Sequence, residues 1–122
     1  MMPKILVVED EAAVRDVLKD ILAVAGFEVI TIPSGTGAPE LAERVSPDAI
    51  LLDVILPDVD GIEICRRLKA REGTRLIPVV MISGFNVERS QAIEAGAEDI
   101  VYKPFNMDDI LLRLRSVLPF RN

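Results

Sequence analysis

The stretch "DAILLDVILPDVDG", residues 48–61, decides the fold. Ala49 to Leu52 form an unbroken aliphatic run, the pattern of a short strand buried on both faces. Asp53 follows at once, then Val54 to Leu56, and then Pro57. A carboxylate at the edge of a core is costly unless something pairs with it. Asp53 therefore needs partners, and the ends of the other apolar runs are where to seek them.

Working outward, "KILVVE" (4–9) predicts a buried first strand and "FEVITI" (27–32) an alternating, edge-type second one. "IPVVMI" (77–82) predicts a fourth strand and "DIVY" (99–102) a brief fifth. Between them the period changes. Val14, Val17, Leu18, Ile21, Leu22 and Ala25 recur at helical spacing before Gly26. A short helix is expected from Pro39 to about Val45, and another over "GIEICRRLKAR" with Ile62, Ile64, Cys65 and Leu68 inward. "NVERSQAIEAG" predicts a helix ending at Gly96. "MDDILLRLRSVL" predicts the last, with Ile110, Leu111, Leu114, Val117 and Leu118 on one stripe and Leu112 exposed.

Strands alternating with helices, and apolar central strands, predict an α/β fold: one doubly wound (βα)5 domain over residues 1–122, with no output domain. Right-handed crossovers put every strand's carboxyl end on one rim, where such sheets bind ligands.

Composition narrows the function. Half of the 122 residues are hydrophobic and only 4% aromatic, which predicts a globular core packed from aliphatic side chains. The net charge of -6, without a Lys/Arg run, argues against direct nucleic-acid binding. The chain has no histidine, so His-based zinc sites and Ser-His or Cys-His catalysis are excluded. The single Cys65 cannot form an internal disulfide. No apolar run approaches the roughly 18 residues of a membrane span. The N-terminus turns acidic at Glu9 too early for a signal peptide, so a cytoplasmic protein without a membrane partner is expected.

The strand ends carry the chemistry: Glu9-Asp10, Asp53, Ser83-Gly84 and Lys103-Pro104. Taken singly, Asp10 could cap the next helix, Asp53 and Ser83 could be turn residues, and Lys103 a solvated surface lysine. Four strands delivering such groups to one rim make coincidence a poor explanation. Three carboxylates with one ammonium leave a surplus of negative charge. An all-oxygen donor set without histidine suits Mg²⁺, or Mn²⁺, and the ion's retained waters suit phosphoryl transfer.

In this order and spacing, "VVEDE", "LLDVILPDVDG", "MISG" and "YKPF" resemble the response-regulator receiver domain of two-component signalling, across essentially the whole chain. The resemblance implies the flavodoxin-like strand order 2-1-3-4-5, which chemotaxis receivers share. It implies that Asp53 is the phosphoacceptor for a histidine kinase or histidine phosphotransfer protein. Asp10 and Asp53 would ligate Mg²⁺, Glu9 would act through a bound water, and the Ile55 carbonyl would complete the set. Lys103 and Ser83 would bind phosphoryl oxygens, and Gly84 would leave room for the group to enter. Pro57 and Gly61 would shape the loop after Asp53, with glycine tolerating φ > 0. The Lys103-Pro104 bond is expected to be cis. Phosphorylation would draw Ser83 inward and reshape the face of helix four, strand five and helix five, signalling to a downstream protein or output domain.

The chain departs from the family in two places. Ile100 occupies the position of the usual switch aromatic, and Tyr102 directly precedes the lysine. Packing or partner contact is the leading reading of Tyr102, and a share in the aromatic signal the alternative. Ile55 and Phe85, at positions that flank the path of a hydrolytic water in the family, are both apolar, which predicts a long-lived aspartyl phosphate. Leu112 and Tyr102 are candidates for a homodimer or partner contact on that face. A binding-only receiver is disfavoured by the complete acidic set. A haloacid-dehalogenase-type phosphatase would need an aspartate where Ile55 stands, and an FMN protein would not place "EDEAA" in its phosphate loop.

Overall fold

Each aliphatic run forms a strand, and each run of helical period a helix. In chain order the elements are β1 (Lys4–Val8), α1 (Ala12–Val24), β2 (Glu28–Ile32), α2 (Ala38–Val45), β3 (Ala49–Asp53), α3 (Gly61–Ala70), β4 (Val79–Ser83), α4 (Arg89–Glu94), β5 (Asp99–Tyr102) and α5 (Met107–Val117). The structure, a computed structural model, describes residues 2–84 and 87–118. The strands pair in parallel in the order β2-β1-β3-β4-β5, the expected doubly wound, flavodoxin-like sheet.

The pleat explains why the central runs are apolar throughout. Ile50 and Leu52 of β3 enter one core with Leu6 and Val8 of β1, beneath α2, α3 and α4. Ala49 and Leu51 enter the other with Ile5 and Val7, beneath α1 and α5. Alternate residues of one strand thus serve opposite cores, and all five residues of β3 and of β4 are buried. A fully buried Leu or Ile contributes about 1.5–3 kcal/mol relative to an exposed one, so this layer anchors the fold. At the edge, β2 has one neighbour and no fully buried residue.

Two helices differ from their predicted patterns. Val17 is 52% exposed, because the apolar arc of α1 is wider than the strip its sheet contact covers. The helix expected over residues 86–96 is only Arg89–Glu94, since Glu88 and Gln91 close a capping box at its start. Asn86 lies outside the described residues. Gly26 (φ 98) and Gly96 (φ 103) follow α1 and α4 in the left-handed region that glycine favours. Among the described residues, no helix is long and apolar enough to cross a membrane.

The chain runs from β1 to β2 on one side of the sheet and then to β3 on the other. The carboxyl ends of β1 and β3 therefore flank the point where strand order reverses. Val8 and Leu52 are register partners, so the next residues, Glu9 and Asp53, stand side by side.

Candidate functional site

Asp53 ends the central strand and is 3% exposed. Its carboxylate is held on both oxygens. Oδ1 accepts the Ile55 N–H at 3.1 Å, and Oδ2 accepts from Lys103 Nζ at 3.3 Å. The lysine follows β5, two strands away, and its peptide bond to Pro104 is cis.

From β1 come the other two carboxylates. Ligand atoms of Glu9, Asp10 and Asp53 all lie within 4.8 Å of one another. Glu9 is 1% exposed. Its Oε2 accepts the Glu11 N–H at 3.1 Å, whereas Oε1 is buried without a hydrogen-bond partner among the described residues. Asp10 is exposed and does not cap α1, whose N-cap is Glu11. At the end of β4, Ser83 is fully buried and its Oγ likewise has no partner among the described residues.

Three carboxylates, two of them buried, face one ammonium and leave a surplus of negative charge. The consequence falls on Glu9. Burial, then the Asp53 carboxylate close beside it, push the Glu9 carboxyl up to about 7, while the Glu11 N–H and Lys103 pull the other way. Without a counter-ion, the cluster thus relieves its surplus by holding a proton. A hard divalent cation would relieve it equally, and the donor set fits one: oxygen atoms only, converging, with a buried lone-pair atom on Glu9 still unpaired.

The loop between β3 and α3 is shaped differently from the sequence expectation. Gly61 does not adopt positive φ. It is needed for close approach, because a Cβ there would lie 2.4 Å from the Asp53 carbonyl oxygen and 2.6 Å from the Val54 Cα. Pro57 is exposed in this loop, Asp60 caps α3 through the Ile62 N–H, and the Asp58 carboxylate accepts from the Gly35 and Thr36 backbone. Ile55 is 59% exposed beside Asp53. Gly84 is partly buried after Ser83, and Phe85 lies outside the described residues.

On β5, Ile100 is fully buried in the core beneath α2, α3 and α4. Tyr102 is 37% exposed, and its hydroxyl donates to the Val87 carbonyl, in the loop before α4, at 3.1 Å. Sequence reasoning missed the network beside it. Asp99 of β5 pairs with Arg89 of α4 at 2.8 Å and Arg113 of α5 at 2.9 Å, joining three elements through one carboxylate. Charges on three separate elements of the chain give no local signal of such a contact.

The response regulator receiver domain family matches residues 5–115. The phosphate regulon transcriptional regulatory protein PhoB of Rhizobium meliloti (strain 1021) is 42% identical over 120 residues, which are 97% of this chain and 53% of that protein. The chain spans about half the length of the curated relatives it matches. Among solved structures, chemotaxis protein CheY4 of Vibrio cholerae is 28% identical with a TM-score of 0.90, over 97% of this chain and all of that one. The receiver domain of sensor histidine kinase PA1611 of Pseudomonas aeruginosa PAO1 is 30% identical with a TM-score of 0.87, over 95% and 97% of the two chains, and carries a magnesium ion coordinated in its active-site cleft.

Proposed function

The chain belongs to the response regulator receiver family, and from that premise we propose that Asp53 accepts a phosphoryl group from a partner's phosphohistidine. The partner is a histidine kinase or a histidine phosphotransfer protein, and the exchange takes place in the cytoplasm. The observation that carries the proposal is a buried carboxylate at the end of the central strand, 3.3 Å from a lysine, with two more carboxylates converging on it.

Attack by an Asp53 oxygen on phosphorus forms the O–P bond of an acyl phosphate. The P–N bond breaks, and its electron pair stays on the departing imidazole. A carboxylate is a weak nucleophile, so the rate rests on positioning and charge neutralisation. Asp10 and Asp53, with the Ile55 carbonyl and Glu9 through a water, would hold Mg²⁺ or Mn²⁺. When bound, that ion neutralises charge on the acceptor and on the phosphoryl oxygens.

Lys103 passes from Asp53 to a phosphoryl oxygen, and the buried Ser83 hydroxyl donates to another. Gly84 leaves space for the group, and Pro57 and Gly61 keep the Ile55 carbonyl in place. Ile55 and Phe85 cannot orient water by hydrogen bonding, so the acyl phosphate is long-lived. The domain is a switch that catalyses its own phosphorylation and dephosphorylation.

Movement of Ser83 toward the phosphoryl group draws the loop before α4 with it. Tyr102 ties that loop to β5, which supports its share in the aromatic signal that Ile100 cannot supply. A phosphoryl-mimic complex with Tyr102 in an unchanged rotamer would reject that role. The reshaped α4-β5-α5 face, where Ile93, Tyr102 and Leu112 are exposed, meets a downstream protein, an output domain or a second copy of the chain.

Incubation with acetyl phosphate and Mg²⁺ should add the mass of one phosphoryl group, seen by intact-protein mass spectrometry. The gain should vanish in EDTA and in Asp53→Asn. No gain in the wild type would leave a binding-only module as the better reading.

A further inference from the structure

Arg15 lies one turn into α1 and has no part in the transfer described above, yet its guanidinium turns back toward the acidic loop. Its Nη1 donates to the carbonyl oxygens of both Glu9, at 2.9 Å, and Asp10, at 3.1 Å. We infer that Arg15 is a positioning residue for the cation site: it fixes the peptides that aim the Glu9 and Asp10 carboxylates. The inference rests on the reading that this site takes a divalent cation.

The three carboxylates are not equally restrained. Asp53 has a hydrogen bond on each oxygen. Glu9 is buried, its carboxylate accepts from Glu11, and its own N–H is bonded to the Ile32 carbonyl. Asp10 is exposed, lies beyond β1, and its carboxylate accepts no hydrogen bond among the described residues. With no contact on its carboxylate, what the protein fixes for Asp10 is its backbone position and the direction of its Cα–Cβ bond. The start of α1 offers that backbone little help, since the N-cap Glu11 makes no side-chain cap and the first turn holds no acidic residue. The peptides on either side of Asp10 are held instead by the Glu9 carboxylate, which accepts the Glu11 N–H, and by the Arg15 guanidinium, among the described residues the one group bonded to both carbonyls and a donor of the stronger, charge-assisted kind of hydrogen bond.

Charge and position act in opposite directions here. A guanidinium beside a cation site repels the incoming ion, so an Arg15 acting through charge alone would weaken metal binding, and its removal would tighten it. An Arg15 that aims ligands strengthens binding, and its removal loosens it. Loss of an outer partner of a metal ligand typically weakens affinity roughly 10- to 100-fold, and Asp10 is only one of the ligands, so about tenfold is expected. A role confined to stabilising the helix start would lower the melting temperature and leave the dissociation constant unchanged.

The test is calorimetric titration of Mg²⁺, and separately Mn²⁺, into wild type, Arg15→Met, Arg15→Lys and Lys19→Met, with no phosphodonor present. Lys19 is exposed on the same helix and touches neither carbonyl. Circular dichroism melts in EDTA confirm the fold of each variant, and Arg15→Lys carries the test if Arg15→Met does not fold. About tenfold weaker binding in Arg15→Met, partial recovery in Arg15→Lys, and unchanged or tighter binding in Lys19→Met are expected. Equal or tighter binding in a folded Arg15 variant overturns the inference and leaves the site reading intact. A wild type that binds neither ion overturns the site reading, and the inference with it.

Discussion

Replacing Glu9 by Gln should stabilise the metal-free protein at high pH and remove most of its pH dependence through the neutral range. Glu9 is 1% exposed. Burial above all, then the neighbouring Asp53 carboxylate, moves its pKa from 4.5 to about 7. A carboxyl raised in this way keeps its proton in the folded state where the unfolded chain has already lost it. Unfolding then releases a proton, so stability falls as pH rises from about 4.5 to about 7 and is flat above. At about 1.4 kcal/mol per pH unit, that gap amounts to about 3 kcal/mol. Glutamine has no proton to lose and keeps a similar shape, so the variant should match wild type near pH 4 and exceed it by about 3 kcal/mol near pH 8. The window is clean because the chain has no histidine. Urea unfolding in EDTA, followed by circular dichroism across this range, measures both curves. A wild type whose stability is flat or rises from about pH 5 to about pH 8, or a Gln variant with the same slope, would refute the reasoning.

Further outcomes follow from the site's geometry. Because Glu9 must release its proton to meet a cation, Mg²⁺ affinity measured by calorimetry should fall as pH drops below about 7. Gly61→Ala should cost about 3 kcal/mol and about 10 °C in melting temperature, because the backbone atoms 2.4 and 2.6 Å from the new Cβ cannot swing aside as a side chain would. A loss of only one or two degrees in a calorimetric melt would contradict that. Lys103→Met should slow phosphorylation by acetyl phosphate about 100-fold, the usual effect of removing one group that stabilises transferring charge. Stopped samples read by intact mass would show it, and a near-wild-type rate would count against the role. Ile55→Asn should shorten the acyl-phosphate lifetime about fivefold, by giving the attacking water one hydrogen bond of about 1 kcal/mol. An unchanged decay would remove Ile55 from the account of lifetime.

Much of this molecule is legible in its sequence, because buried parallel strands leave no choice of residue. The apolar runs ending in Glu9, Asp53, Ser83 and Lys103 mark both the sheet and the rim that carries the candidate site, since strand ends in such a fold must converge. What was hidden depends on distances between segments. The breadth of the apolar arc on α1 does not show how much of it the sheet covers, so Val17 looked buried and is not. Glycine at position 61 signals special backbone, yet not whether the need is positive φ or room beside the Asp53 carbonyl. The Arg15 hydrogen bonds, the Tyr102 bond to Val87 and the Asp99 network join side chains whose meeting only the folded chain defines.

The most direct measurement is to locate the phosphoryl group. After reaction with acetyl phosphate and Mg²⁺, borohydride reduction converts an acyl phosphate to an alcohol, which marks the modified residue in a peptide map. The mark should fall at Asp53 alone. A mark at Glu9, at Asp10 or at any other carboxylate, with Asp53 unmodified, would contradict it.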